Sequence, residues 1–132
     1  MKRNLQIGDK EMLTKAFTAE EVALFSRMCG DDNPIHLDEE YASKTIFGQR
    51  IVHGMLVASL FSAILGSKLP GPGTIYLGQN LQFKNAVKID EPITAIVELI
   101  NIREDKPILT FKTICVNGKG DVVIDGEAVV KV

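Results

Sequence analysis

The sequence is short of most features that would direct it to a nucleic acid, a membrane or a disulfide framework. Basic residues are not in excess: 15 Lys and Arg stand against 17 Asp and Glu, giving a formal net charge of -2 and a pI near 5.7. That balance excludes the electrostatic footprint of a nucleic-acid or anionic-lipid binder. There are only two cysteines, Cys29 and Cys115, and they match no metal-ligand spacing. They read as free thiols of a reducing, cytoplasmic compartment. An apolar leader is missing too: Met1-Lys2-Arg3 runs into Asn4-Leu5-Gln6-Ile7-Gly8-Asp9, so no secretory signal is expected. The one long apolar run, Ile51 to Leu65, is interrupted by His53, Ser59 and Ser62. At about 1.5 Å per residue it reaches roughly 22 Å, short of the ~30 Å hydrocarbon layer. It is expected to be a buried helix, not a membrane span.

What remains is enough apolar material for one domain. The 132 residues are 45% hydrophobic, which predicts a single domain over 1–132 with its own core. Glu11 to Phe17 reads as a strand after the Gly8-Asp9 turn. Thr18 and Glu21 form a capping-box pattern ahead of Val22, Leu24, Phe25 and Met28, a helix that Gly30 should end. A loop, Asp31 to His36, follows, because Pro34 drives Asn33 out of helical geometry. Asp38 is placed to cap a short helix over 39–43.

The run Ile51–Leu65 is apolar all round, the mark of a helix buried on most sides. Its small residues Ala58, Ser59, Ser62, Ala63 and Gly66 recur at spacings of three and four, which suits close approach of a wrapping sheet. Pro70-Gly71-Pro72-Gly73 breaks this helix. Four strands are then expected: Thr74–Phe83, Ile93–Arg103, Ile108–Val116 and, beyond the Asn117-Gly118 hairpin signal, Asp121–Val132. Helices segregated to one face of an antiparallel sheet make an α+β class.

Chemistry-bearing residues gather in two stretches, Gly30-Asp31-Asp32-Asn33-Pro34-Ile35-His36-Leu37-Asp38 and Ile51-Val52-His53-Gly54-Met55. On a helix Asp31 and His36 would face about 140° apart. On a loop bent at Asn33-Pro34 they can converge on one water as an acid/base pair. The same residues also suit an ordinary helix end and turn. Gly54 opens the apolar helix, where unpartnered N–H groups and the positive end of the dipole can hold an oxyanion. It also suits simple close packing there. His53 reads as a structural residue bonding to the loop, and Ser62 as a packing residue of the small stripe. Asp31, Asp32, His36, Asp38 and His53 include potential metal ligands, but no recognised ligand spacing is present and no metal is expected.

These motifs resemble the hydratase motif of the MaoC-like hot-dog proteins, in particular their (R)-specific enoyl-CoA hydratases of polyhydroxyalkanoate synthesis. The resemblance continues through Ser59-Leu60-Phe61-Ser62, Leu69-Pro70-Gly71, Ile75-Tyr76-Leu77-Gly78-Gln79, Arg103-Glu104-Asp105-Lys106-Pro107 and Gly126-Glu127-Ala128-Val129-Val130-Lys131. It implies a hot-dog fold, an antiparallel sheet wrapped round the long central helix, and a homodimer whose sheets join edge to edge. It implies a catalytic dyad of Asp31 and His36, an oxyanion donor in the Gly54 N–H, and supporting positions at Ser62, Asn33 and His53. The implied reaction is syn hydration of trans-2-enoyl-CoA to (R)-3-hydroxyacyl-CoA, with coenzyme A as part of the substrate and no separate cofactor.

Other activities of such a domain stay in view: a dehydratase acting on 3-hydroxyacyl carrier protein, a hot-dog thioesterase, a non-catalytic acyl-thioester binding module and a metal-dependent hydrolase. A thioesterase would want an acidic residue on the central helix, and the stretch after Gly54 offers none. Lys84 and Lys88 are basic residues near a strand end where the nucleotide of coenzyme A could be met.

Overall fold

The computed structural model describes residues 4–132; residues 1–3 of the expected domain lie outside the described residues. β1 (Lys10–Lys15) stops two residues short of the expected Phe17. Phe17 leaves the strand to enter the core, and its carbonyl accepts the Asp90 N–H at 2.8 Å. α1 (Ala19–Cys29) starts with both halves of the Thr18/Glu21 capping box and ends at Gly30, whose φ of 88° closes the helix with an N–H to the Ser26 carbonyl.

The expected loop 31–36 is shorter than read, because Pro34–Leu37 form one turn of helix, α2. Pro34 does keep Asn33 out of helical geometry, yet as a first helical residue its missing N–H costs nothing. The Asn33 side chain caps the new turn. α3 (Glu39–Ser43) is capped by Asp38, as read.

The central helix, α4, spans Gly54–Ser67 rather than 51–65. Ile51 and Val52 are extended instead. Ile51 bridges to Lys88, and the Val52 N–H donates to the Val87 carbonyl at 2.7 Å. β-Branched residues pair readily with a neighbouring strand, and that pairing overrides the apolar helical pattern. The expected burial on most sides is also corrected. Val57, Leu60, Phe61, Ile64 and Leu65 are buried, whereas Met55, Ser59, Ser62, Ala63 and Gly66 are exposed in this chain. The sheet packs on the large residues, not on the small stripe.

The second half forms five strands, not four: β2 (Ile75–Gln79), β3 (Gln82–Phe83), β4 (Ile93–Ile102), β5 (Ile108–Asn117) and β6 (Val122–Lys131). They and β1 make a six-stranded antiparallel sheet in the order β1-β4-β5-β6-β2, with β3 also on β6. The expected strand 74–83 breaks at Asn80. The Asn80 N–H donates to the Glu127 carbonyl at 3.0 Å, and the Glu127 N–H donates back to Asn80 Oδ1 at 3.1 Å. This crossing lies directly over Gly126, where a Cβ would stand 2.0 Å from the Asn80 carbonyl oxygen.

One face of the sheet supplies Ile93, Ala95, Val97 and Leu99 from β4 and Leu109, Phe111 and Cys115 from β5, by strand alternation. α4 packs against that face, the hot-dog arrangement expected. Burial pushes the Cys115 thiol up to about 12, so it is an inert core group. Among the described residues no helix is long and apolar enough to cross a membrane.

Gly126→Ala should cost about 1–3 kcal/mol in urea unfolding, because the new methyl displaces the Asn80 backbone. Gly118→Ala, where a Cβ meets nothing within 4 Å, should stay within about 0.5 kcal/mol of the native chain. Equal effects at the two sites would contradict the Asn80 contact.

Candidate active site

The two sequence stretches meet at one wall of a cavity of about 450 Å³. Past Gly30 the chain turns sharply, and Asp31 Oδ1 accepts the Asn33 N–H at 3.2 Å. Asn33 Oδ1 accepts the Ile35 N–H at 3.2 Å, and the His36 N–H reaches the Asn33 carbonyl. These local bonds replace the loop's flexibility with a fixed path from Asp31 to His36.

His36 is buried, and its Nδ1 lies 2.7 Å from the Ile51 carbonyl. A carbonyl only accepts, so Nδ1 carries the proton and Nε2 keeps a lone pair. The Ile51 N–H donates to the Ile35 carbonyl, and Arg50 Nε donates to the His36 carbonyl at 2.7 Å. The second stretch therefore holds the first by backbone as well as by ring.

His53, 2% exposed, lies beneath this pair. Its ring stacks on His36 with centroids 3.7 Å apart, and its Nε2 lies 3.1 Å from the Asp31 carbonyl and 3.0 Å from Ser26 Oγ. One side-chain polar atom each from Asp31, His36 and His53 falls within 4.8 Å of the others. Gly54 begins α4, and its N–H belongs to the set that no helix carbonyl can satisfy. A Cβ here would stand 2.6 Å from Phe83 Cε1, so glycine brings the backbone against the ring. Asp31, His36, His53 and Gly54 line the cavity together with Phe47, Phe83, Lys84, Val87 and Ile124.

Residues 6–118 match the family model described as MaoC like domain. The chain belongs to the MaoC-like domain family. It is 50% identical over 129 residues to the (R)-specific enoyl-CoA hydratase of Aeromonas caviae, covering 98% of this chain and 96% of that relative. Among solved structures, the (R)-hydratase from A. caviae involved in PHA biosynthesis superposes with a TM-score of 0.97 at 50% identity over 99% of both chains. The unliganded R-hydratase of Pseudomonas aeruginosa superposes with a TM-score of 0.92 at 40% identity, over 96% of this chain and 81% of that one.

The MaoC-like chain does not bring every expected residue to the cavity. Asp31, His36, His53, Gly54 and Lys84 line it. Asn33 is exposed and serves as the cap of α2. Ser62 sits exposed on the far stretch of α4 and is outside the cavity lining, so the supporting role implied for it is not met within one chain. Lys88 is engaged in the bridge with Ile51 and also stays outside the lining. Asp38 accepts the Tyr41 N–H as a helix cap and does not join Asp31, His36 and His53, the potential ligands that gather among the described residues.

The His36 and His53 rings are stacked with planes 22° apart, so their in-plane lone pairs lie in separate, nearly parallel planes. That is poor geometry for a shared cation. Ser26, Phe47 and Phe83 were not anticipated. Ser26 had a readable signal: it follows Val22 by four residues on the buried face of α1, a polar group where the pattern calls for an apolar one.

Burial holds His36 below the ordinary histidine value, and the neighbouring His53 adds to this, while the Ile51 carbonyl and Asp31 oppose it. The folded chain thus favours the neutral ring. Its contribution to stability is complete above about pH 6.5 and is lost as pH falls through the lower folded value, because the unfolded state binds the proton first. A ring-proton NMR titration should show His36 titrating below about 6.5. A midpoint above that would contradict the burial seen here.

Proposed function

We propose that this chain catalyses the reversible, (R)-specific hydration of trans-2-enoyl-CoA to (R)-3-hydroxyacyl-CoA, as a single cytosolic domain over residues 1–132. The observation that carries the reading is the meeting of a carboxylate, a bare imidazole nitrogen and a helix-initial N–H on one cavity wall, in a chain half identical to a protein named for this activity.

The residues suggest their roles. A water molecule can donate one hydrogen to Asp31 and the other to His36 Nε2, leaving an oxygen lone pair for the β carbon of the enoyl thioester. As that C–O bond forms, one member of the pair takes a proton. The π electrons move to the thioester oxygen, where the Gly54 N–H and the α4 dipole stabilise the enolate. The enolate then collapses, and the protonated pair returns its proton to the α carbon on the same face. The sum is addition of H and OH across the double bond, which consumes no oxidant, reductant or metal. Lys84, which lines the cavity, is a cation that suits the phosphate-bearing end of coenzyme A.

A thioesterase finds less support, since α4 contains no acidic residue to direct water at the thioester carbonyl. A second copy of the chain suits the exposed side of α4. Met55 and Ser59 there adjoin Tyr76, Leu77 and Gln79 of β2, an edge strand of the sheet. Edge pairing of two β2 strands would bury the exposed Met55, Tyr76 and Leu77 and extend the sheet. Light scattering should return twice the 14.5 kDa chain mass. A monomer at micromolar concentration would remove the dimer from the proposal.

Crotonyl-CoA should lose its enoyl absorbance on addition of the protein with chelator present, yielding a product that an (R)-specific dehydrogenase oxidises. Asp31→Asn and His36→Gln should each lose about 10²–10⁴-fold in kcat while remaining folded. Near-native turnover in both variants would sink the dyad. Activity on enoyl carrier protein alone would reassign the carrier.

A further inference from the structure

We propose that His53 is a positioning residue for this reaction, one imidazole that holds the ring of His36 and the main chain of Asp31 in register with the Gly54 N–H. The inference rests on the hydratase reading and adds to it the part that keeps the catalytic groups aligned.

Each contact of the ring does separate work. The Asp31 carbonyl, 3.1 Å from Nε2, can only accept, so Nε2 bears the proton and shares it with Ser26 Oγ at 3.0 Å. That bond fixes the backbone from which the Asp31 carboxylate projects. The ring face lies on His36, 3.7 Å between centroids, and sets the plane in which His36 Nε2 offers its lone pair. Phe25 meets the ring edge-on at 4.9 Å, and Ser26, 5% exposed, anchors it to α1. The next residue along the chain is Gly54 itself, so movement of His53 moves the oxyanion donor as well.

The remaining nitrogen, Nδ1, is fully buried and has no hydrogen-bond partner among the described residues. With Nε2 protonated, Nδ1 carries a bare lone pair. The other ionisable groups lining the cavity are Asp31 and Lys84. A buried polar atom left unpaired is costly in a core. A phenylalanine would avoid that cost but would release the Asp31 carbonyl; a glutamine would keep the donor but lose the stacking face.

Those two substitutions separate the functions. The full chain and its His53→Phe, His53→Gln and Ser26→Ala variants should be compared for kcat and KM with crotonyl-CoA, and for cooperative melting by circular dichroism. Both His53 variants should lose about 10–10²-fold in kcat, the scale of a small misplacement of reacting groups, with KM changed by less than about threefold. Ser26→Ala, which keeps both His53 and the stack, should lose a smaller factor in kcat at unchanged KM. Native kcat in both folded His53 variants overturns the proposal, as does a rise in KM alone. If the His53 variants do not fold, Ser26→Ala decides: a lowered kcat supports the role and a native kcat overturns it. A wild-type chain inert toward crotonyl-CoA and longer enoyl-CoAs would instead bring down the hydratase reading, and this inference with it.

Discussion

The site depends on a tie between two segments far apart in sequence, the Ile51 carbonyl accepting His36 Nδ1–H at 2.7 Å beside the Ile51 N–H donating to the Ile35 carbonyl. These bonds lock the segment carrying Asp31 and His36 onto the segment that enters α4. They select the tautomer of His36, and with it the direction from which a proton can be taken. They also hold Ile51 and Val52 extended, through the further pairing with Val87 and Lys88, so that α4 begins at Gly54 and not earlier. A helix begun three residues sooner would satisfy the Gly54 N–H with a carbonyl of its own first turn. The extended entry thus leaves an N–H free at the place where the cavity opens.

The electrostatics around this tie are economical. Apolar neighbours such as Val52, Val57 and Val87 line or adjoin the same space, and the burial they impose favours neutral imidazole over imidazolium. Asp31 stays toward solvent, its carboxylate held by the local turn. Two groups of opposite habit are therefore brought to one cavity by burial and exposure alone, without a network of ion pairs. The salt bridges among the described residues, such as Lys15–Glu21 and Arg103–Asp105, lie elsewhere, on partly or largely exposed side chains.

Much of this was legible in the residues. The capping box, the Gly30 stop, the Asp38 cap and the Asn117 hairpin are local devices, and each is found where its residues stand. Asp31, His36 and Gly54 could be selected as site residues because carboxylate, imidazole and helix-initial glycine have few other joint uses. What was not legible depended on contacts across the fold. The extended state of Ile51-Val52 comes from residues 87 and 88, and the break at Asn80 from Gly126. The face of α4 that meets the sheet is chosen by the large residues of β4 and β5, so the small stripe with Ser62 lies outward, opposite to the expected side. Phe83 reaches the site from a two-residue strand too short to carry a periodicity, whereas Ser26 is marked only as a polar residue on the buried face of α1.

The closeness of Gly54 to Phe83 bears on how this sequence can drift. Because a methyl at residue 54 would press on the Phe83 ring, the two positions form an epistatic pair: shrinking the aromatic first makes room, whereas enlarging the glycine first must displace the half-exposed Phe83 side chain. Mutational routes through this corner are thus ordered in time. A larger residue at position 54 therefore carries the cost of moving the aromatic at position 83, separately from any cost to the amide that the glycine exposes.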